Sequence, residues 1–128
     1  MAVALMAASI MTILPTQQAS ASARPTSCSS YEKLAAEVGW PRKEIARVSK
    51  IMARESSCFA RAWNQKDPYG GSHGLMQING SNKGFLVRLG IVRQSMTELW
   101  KPRRNLIAAL ALWKECGWSC WGTRSSQP

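Results

Sequence analysis

Four cysteines in a chain of 128 residues set the firmest limit on what it can fold into. Cys28, Cys58, Cys116 and Cys120 all follow residue 23. An even count in a short exported chain implies a disulfide framework. Four cysteines allow three pairings. Cys28–Cys58 and Cys116–Cys120 are the favoured ones, the second closing a local turn. A zinc site is the competing reading, but the C-x-x-C spacing and the histidine pair that such sites use are absent, since His73 is the single histidine. No metal and no organic cofactor is implied.

The first 23 residues differ from the rest. They carry no charge, and Ala2 to Leu14 form an apolar run that ends at Pro15. A small polar stretch follows and closes on Ala21-Ser22-Ala23. That pattern reads as a secretory signal peptide, residues 1–23, and the run is too short to cross a bilayer comfortably. No Lys or Arg precedes the run, so a natural start further upstream is expected. The competing reading is a frayed apolar N-terminus on a cytosolic protein. Residues 24–128 then make one domain. The expectation is a secreted, cell-wall-associated monomer without stable membrane insertion.

Charge narrows the partners. Lys and Arg number 17 against 7 Asp and Glu, a formal net charge of +10, all of it at or after Arg24. Such a surface favours nucleic acid, anionic lipid or a wall rich in phosphate polymers. No helix-turn-helix, zinc-finger or RNP-like pattern supports nucleic acid.

The apolar periodicity is helical. Ser29-x-x-Glu32 is a capping-box pattern, and Tyr31, Leu34, Ala35 and Val38 follow on one helical face. A second helix is expected over 41–57. Ile45, Val48, Ile51 and Met52 share one face, and Lys43, Arg47, Lys50 and Arg54 the opposite one. Residues 64–80 are rich in turn formers and predict an irregular region with one short hairpin. Phe85, Leu86 and Leu89 mark a helical piece stopped by Gly90, and Ser95-x-x-Glu98 caps another. Pro102 opens a helix that Gly117 closes, with Leu106, Leu110 and Trp113 on one side and Ile107 and Ala111 beside them. The fold class is mainly α with a small irregular or β lobe.

Glu55 is the anomaly. It stands four residues after Ile51 and three after Met52, so it projects from the apolar face near the end of its helix. A carboxyl on a dry face resists ionisation and can serve as a proton donor. The structural alternative is a glutamate paired with Arg54 or Arg61.

Context favours chemistry. Arg54-Glu55-Ser56 followed by Gly74-Leu75-Met76-Gln77-Ile78-Asn79 closely resembles the signature of the lysozyme-like superfamily, and most of all its soluble lytic transglycosylase domain family. Pro102-x-x-Asn105 and the Ala-rich helix after it resemble that family's closing helix. The resemblance spans roughly residues 28 to 123. It implies an α+β lysozyme-like fold, in which a compact helical domain and a small lobe flank a substrate cleft. It implies peptidoglycan glycan strands as partner, to which the basic charge adds anionic wall polymers. It also assigns Glu55 the catalytic acid/base role, with Ser56 beside it and Gln77 and Asn79 facing sugar. Ser72 and His73 join the substrate-binding candidates beside Gly74. From residue chemistry, Gly74 allows close backbone approach, and the amides of Gln77 and Asn79 suit acetamido sugars. They would equally suit a turn whose amides satisfy one another. Trp63, Trp100, Trp113, Trp118 and Trp121 are candidates for stacking on sugars or for the core, Trp113 for the core.

The second carboxyl is missing where animal-type lysozymes of this superfamily carry an aspartate. Ser72 stands there. Asp67 is the only acid between Glu55 and Gly74, and it precedes Pro68 as a turn former would. Hydrolysis by paired carboxyls needs a partner at about 5 Å for retention, or roughly 6.5–9.5 Å for inversion. A lytic transglycosylase uses the muramoyl C6 hydroxyl of its substrate instead, so one glutamate suffices and the product carries a 1,6-anhydro end. The expected activity is therefore a lytic transglycosylase cleaving the MurNAc-GlcNAc β-1,4 bond. A lysozyme-type hydrolase and a non-catalytic cationic wall-binding protein are the alternatives.

Overall fold

Both favoured cysteine pairs are bonded in the computed structural model, which describes residues 23–122: Cys28 to Cys58 and Cys116 to Cys120, with Cα–Cα separations of 5.5 and 5.7 Å. The apolar leader expected over residues 1–23 lies, except for Ala23, outside the described residues. The first bond ties the entry of the chain to the end of the second helix. Cys28 N–H reinforces it by donating to the hydroxyl and carbonyl of Ser49 at 2.9 and 3.2 Å.

That anchoring decides how the first helix begins. Ser29–Tyr31 form a 3-10 turn, and α1 runs over Glu32–Glu37 with no side chain capping it. The capping box expected from Ser29 and Glu32 does not form. The same pattern succeeds at Ser95 and Glu98, where both reciprocal bonds are made around the 3-10 helix Met96–Trp100. Arg42–Glu44 make a further 3-10 turn before α2, Ile45–Ser56. Val48, Ile51 and Met52 of α2 are buried and Lys43, Arg47, Lys50 and Arg54 are exposed, as the periodicity requires.

The lobe after α2 is more ordered than a single hairpin. Three two-residue strands, β1 (Trp63–Asn64), β2 (Ser72–His73) and β3 (Ile78–Asn79), pair antiparallel in sequence order. Trp63 faces His73, and Ser72 faces Asn79. A 3-10 turn, Gly80–Asn82, leads into α3, Lys83–Arg88.

The longest helix, α4, covers Pro102–Cys116, and a last 3-10 turn spans Gly117–Trp121. Leu106 and Leu110 are buried and Trp113 packs against the core, as the periodicity requires; the buried face also takes in Asn105, Ala108, Ala109 and Leu112, whereas Ile107, expected beside the stripe, is 38% exposed. Leu75, Met76 and Ile78 are buried in the same core as Val48 and Met52 of α2 and Leu106 of α4. A fully buried side chain of that size contributes roughly 1.5–3 kcal/mol by leaving water. Trp40 closes the core beside α4, donating its indole N–H to Leu106 O at 3.1 Å. The chain is thus mostly helical with a small antiparallel sheet. No helix among the described residues is long and apolar enough to cross a membrane.

Candidate functional site

Glu55 occupies the last turn of α2, and the chain turns sharply immediately afterwards. Ser57 and Cys58 both adopt left-handed backbone, with φ of 52° and 65°. Neither is a glycine, so the conformation costs energy and must be imposed by its surroundings. The Cys28–Cys58 disulfide supplies one constraint. The turn sends Phe59–Ala62 back toward the Gly74–Asn79 segment. There Ala62 O accepts the backbone N–H of Gly74 at 2.8 Å and the amide of Gln77 at 3.2 Å.

The side chain of Glu55 is a quarter exposed, and its Oε1 accepts two bonds from Arg54, at 2.8 and 2.6 Å. This differs from the dry carboxyl expected on an apolar face. Arg54 is the next residue along the helix, and its guanidinium folds back over the helix end. It also reaches Trp121 O at 3.3 Å. Trp121 in turn donates its indole N–H to Met76 O at 2.8 Å. Glu55, Arg54, Trp121 and Met76 therefore form one bonded chain from α2 to the motif segment. Ser56 faces the other way: it is buried and donates to Met52 O at 2.9 Å, a back-bond within its own helix.

The motif segment is held from beneath by Asn105. Its Oδ1 accepts the N–H of Met76 at 2.9 Å, and its Nδ2 donates to His73 O and Leu99 O, both at 3.0 Å. Asn105 is fully buried, so each of these bonds replaces water that is not there. Gly74, at φ 76°, is required here: a Cβ would collide with the Asn105 amide and with Leu99 O. Gln77 also takes left-handed backbone, φ 47°, and its amide spans back to Gly74 O at 3.0 Å as well as to Ala62 O.

Most of the polar candidates have internal partners. Asn79 donates to Pro68 O at 2.8 Å and accepts the N–H of Ser81 at 3.0 Å, and it also donates to Gly71 O and the Ser72 hydroxyl at 3.3 Å. Ser72 is buried. Asp67 accepts from the Asn64 amide at 3.0 Å, within a turn. The amides of the motif thus build the lobe. Gln77, Asn79 and Trp121 also line a small cavity of about 100 Å³.

His73 sits in a layer of rings. It stacks on Trp63 with centroids 5.8 Å apart, while Trp100 lies 6.4 Å away on a tilt. Arg61 covers the Trp100 ring at 5.2 Å. Burial lowers the His73 pKa below its usual value, and the nearby Gly70 carbonyl works in the opposite direction. Its Nδ1 and the Trp100 Nε1 are buried with no hydrogen-bond partner among the described residues. Trp63 remains 46% exposed, which leaves its ring open to a ligand. The other tryptophans pack together: Trp118 stacks on Trp40 at 5.6 Å, Trp113 lies 5.4 Å from Trp40, and Trp118 donates to Glu44 at 3.0 Å.

No family model matches the chain, and we find no match to it among curated proteins or solved structures. The structure brings Ser72, His73, Gln77 and Asn79 together on β2, β3 and the turn between them, and links Glu55 to that turn at Met76 O through Arg54 and Trp121. Ser56 stays apart. Sequence reading missed the roles of Trp40, Trp121 and Arg61, and the buried grip of Asn105. An asparagine inside an Ala- and Leu-rich helix was the available signal, because a buried amide demands partners. Among the described residues, no three His, Cys, Asp or Glu side chains cluster to hold a metal ion.

Proposed function

We propose that the chain is a secreted peptidoglycan lytic transglycosylase of lysozyme-like architecture, with Glu55 as its single catalytic carboxyl. The observation that carries the proposal is the junction at the end of α2. There one carboxyl is tied to the Gly74–Asn79 segment through Arg54 and Trp121, beside the Ala62 bonds. Of the six other acids, Glu32 lies at the start of α1 and four have partners elsewhere. Glu37 pairs with Arg103, Glu98 with Arg104, Glu44 bonds Trp118, and Asp67 closes its turn. Glu115 lines a groove between α3 and α4.

A lone carboxyl suits a reaction in which the substrate supplies the nucleophile. Glu55 protonates the glycosidic oxygen as the C1–O bond breaks. The muramoyl C6 hydroxyl attacks C1, and Glu55 takes its proton, so the enzyme returns to its starting state. Oε1 is held by Arg54, and Oε2 is the oxygen assigned to the leaving group. Substrate entering the cleft has to loosen the Arg54 bonds for the protonated form to act. The excess positive charge draws the enzyme to a wall bearing anionic polymers.

Product analysis tests the reaction type. Mass spectrometry of digested peptidoglycan shows 1,6-anhydromuramoyl ends for a transglycosylase. Reducing muramoyl ends alone would assign a lysozyme-type hydrolase instead.

A further inference from the structure

On the side of α4 formed with α3 and its connector, three concavities join into one furrow that shares no residue with the Glu55 site. A groove of about 390 Å³ is floored by Val38, Phe85, Leu89, Ile91, Ile107 and Leu110, with Lys114 and Glu115 at its rim. It shares Ile91 and Ile107 with a second hollow of about 370 Å³, which Lys101, Arg103 and Arg104 also line. That hollow shares Lys101 and Arg104 with a third, of about 450 Å³, which adds Arg93 and Glu98. The furrow is apolar at one end and basic at the other.

Neither end is accounted for by packing. Leu89 is 53% exposed and Ile107 38%, an apolar surface that water penalises. At the basic end two carboxylates face four cations: Glu98 holds Arg104, and Glu37 holds Arg103 from outside. Lys101 and Arg93 make no ion pair among the described residues. The Glu98 pKa is pushed down to about 2 by backbone N–H groups, foremost that of Gln94, so this carboxyl is charged and the excess of cations stands.

We propose that the furrow binds a single-chain anionic amphiphile. The acyl chain lies over Ile107, Ile91 and Leu89, and the phosphate sits among Lys101, Arg103 and Arg104. The two chemistries are contiguous, and the charge complements a phosphate head. An acidic helical peptide would need anionic groups spread along its length, whereas four of the five cations here are gathered at one end and the fifth, Lys114, shares its rim with Glu115.

Titration calorimetry of the folded chain with monomeric lysophosphatidylglycerol, below its critical micelle concentration, tests this. Saturable binding is expected, at least tenfold tighter than to lysophosphatidylcholine of equal chain length or to glycerol 3-phosphate. Lys101→Glu and Ile107→Asp should each weaken it at least tenfold. Leu89→Asp serves as the second apolar variant should Ile107→Asp lose its circular dichroism. Equal binding of the zwitterionic lipid, equal binding of the tail-less phosphate, indifference to the folded variants, or binding only to phosphatidylglycerol vesicles would each overturn the proposal. So would tighter binding of an acidic amphipathic peptide.

Discussion

Asn105 on α4 accepts the backbone N–H of Met76 at 2.9 Å, and so fixes the motif segment to the longest helix of the molecule. Its amide also holds the carbonyls of His73 and Leu99. Asn105→Ala leaves a donor and two acceptors without partners in a dry interior. The cost is expected to be about 2–4 kcal/mol. Urea unfolding of the variant measures it, and a loss under about 1 kcal/mol would mean the bonds are readily replaced by water.

Gly74 makes the same contact from the other side. A methyl group at this position meets the Asn105 amide and Leu99 O, on a backbone with φ 76°. Gly74→Ala should therefore destabilise by more than the roughly 1 kcal/mol of an unfavourable φ alone. Thermal unfolding should show a lower Tm than that of Gly90→Ala, where no atom crowds the added carbon.

The two disulfides should contribute unequally. Cys28–Cys58 spans 30 residues and Cys116–Cys120 spans 4. Loop-closure entropy assigns about 3–4 kcal/mol to the longer loop and about 2 kcal/mol to the shorter. Replacing each pair by serine and comparing denaturant midpoints tests the order. The longer pair also holds the left-handed turn after Glu55, so its removal should lower activity as well as stability.

Acid should act in two steps. His73 has a lowered pKa when folded, so the unfolded chain binds more protons as pH falls below about 6.5. Stability then rises with pH through that region and falls on acidification. Glu98 is depressed from 4.5 to about 2, so its contribution is present above about 4.5 and is lost between 4.5 and 2. Unfolding followed across pH should show both slopes. Glu98→Gln should remove the lower one and leave the upper one.

Where sequence and structure agree, the forces are local. The reciprocal bonds of Ser95 and Glu98 need only a few residues of chain, and the apolar stripe of α2 needs only its own periodicity. The Ser29–Glu32 pattern failed because Cys28 is fixed from 21 residues away by Ser49. The sheet was hard to read because strands of two residues carry no measurable alternation. Gln77 and Asn79 were expected either to face sugar or to belong to a turn whose amides satisfy one another. Their bonds to Ala62, Pro68 and Gly71 depend on how the lobe folds back and leave no trace in spacing. The Arg54–Glu55 pair forms as the structural alternative for Glu55 had it, although periodicity placed the two on different faces. A long guanidinium can wrap around a helix end, which a wheel of fixed directions does not represent.

The central claim is that Glu55 alone performs both proton transfers. The measurement is a digest of native peptidoglycan by the wild-type chain and by Glu55→Gln, with products resolved by mass spectrometry. The account predicts 1,6-anhydromuramoyl products from the wild type. It also predicts a rate for the folded Glu55→Gln variant lower by about 10²–10⁴-fold, the usual contribution of a general acid–base. Anhydro products formed at an undiminished rate by Glu55→Gln would contradict it.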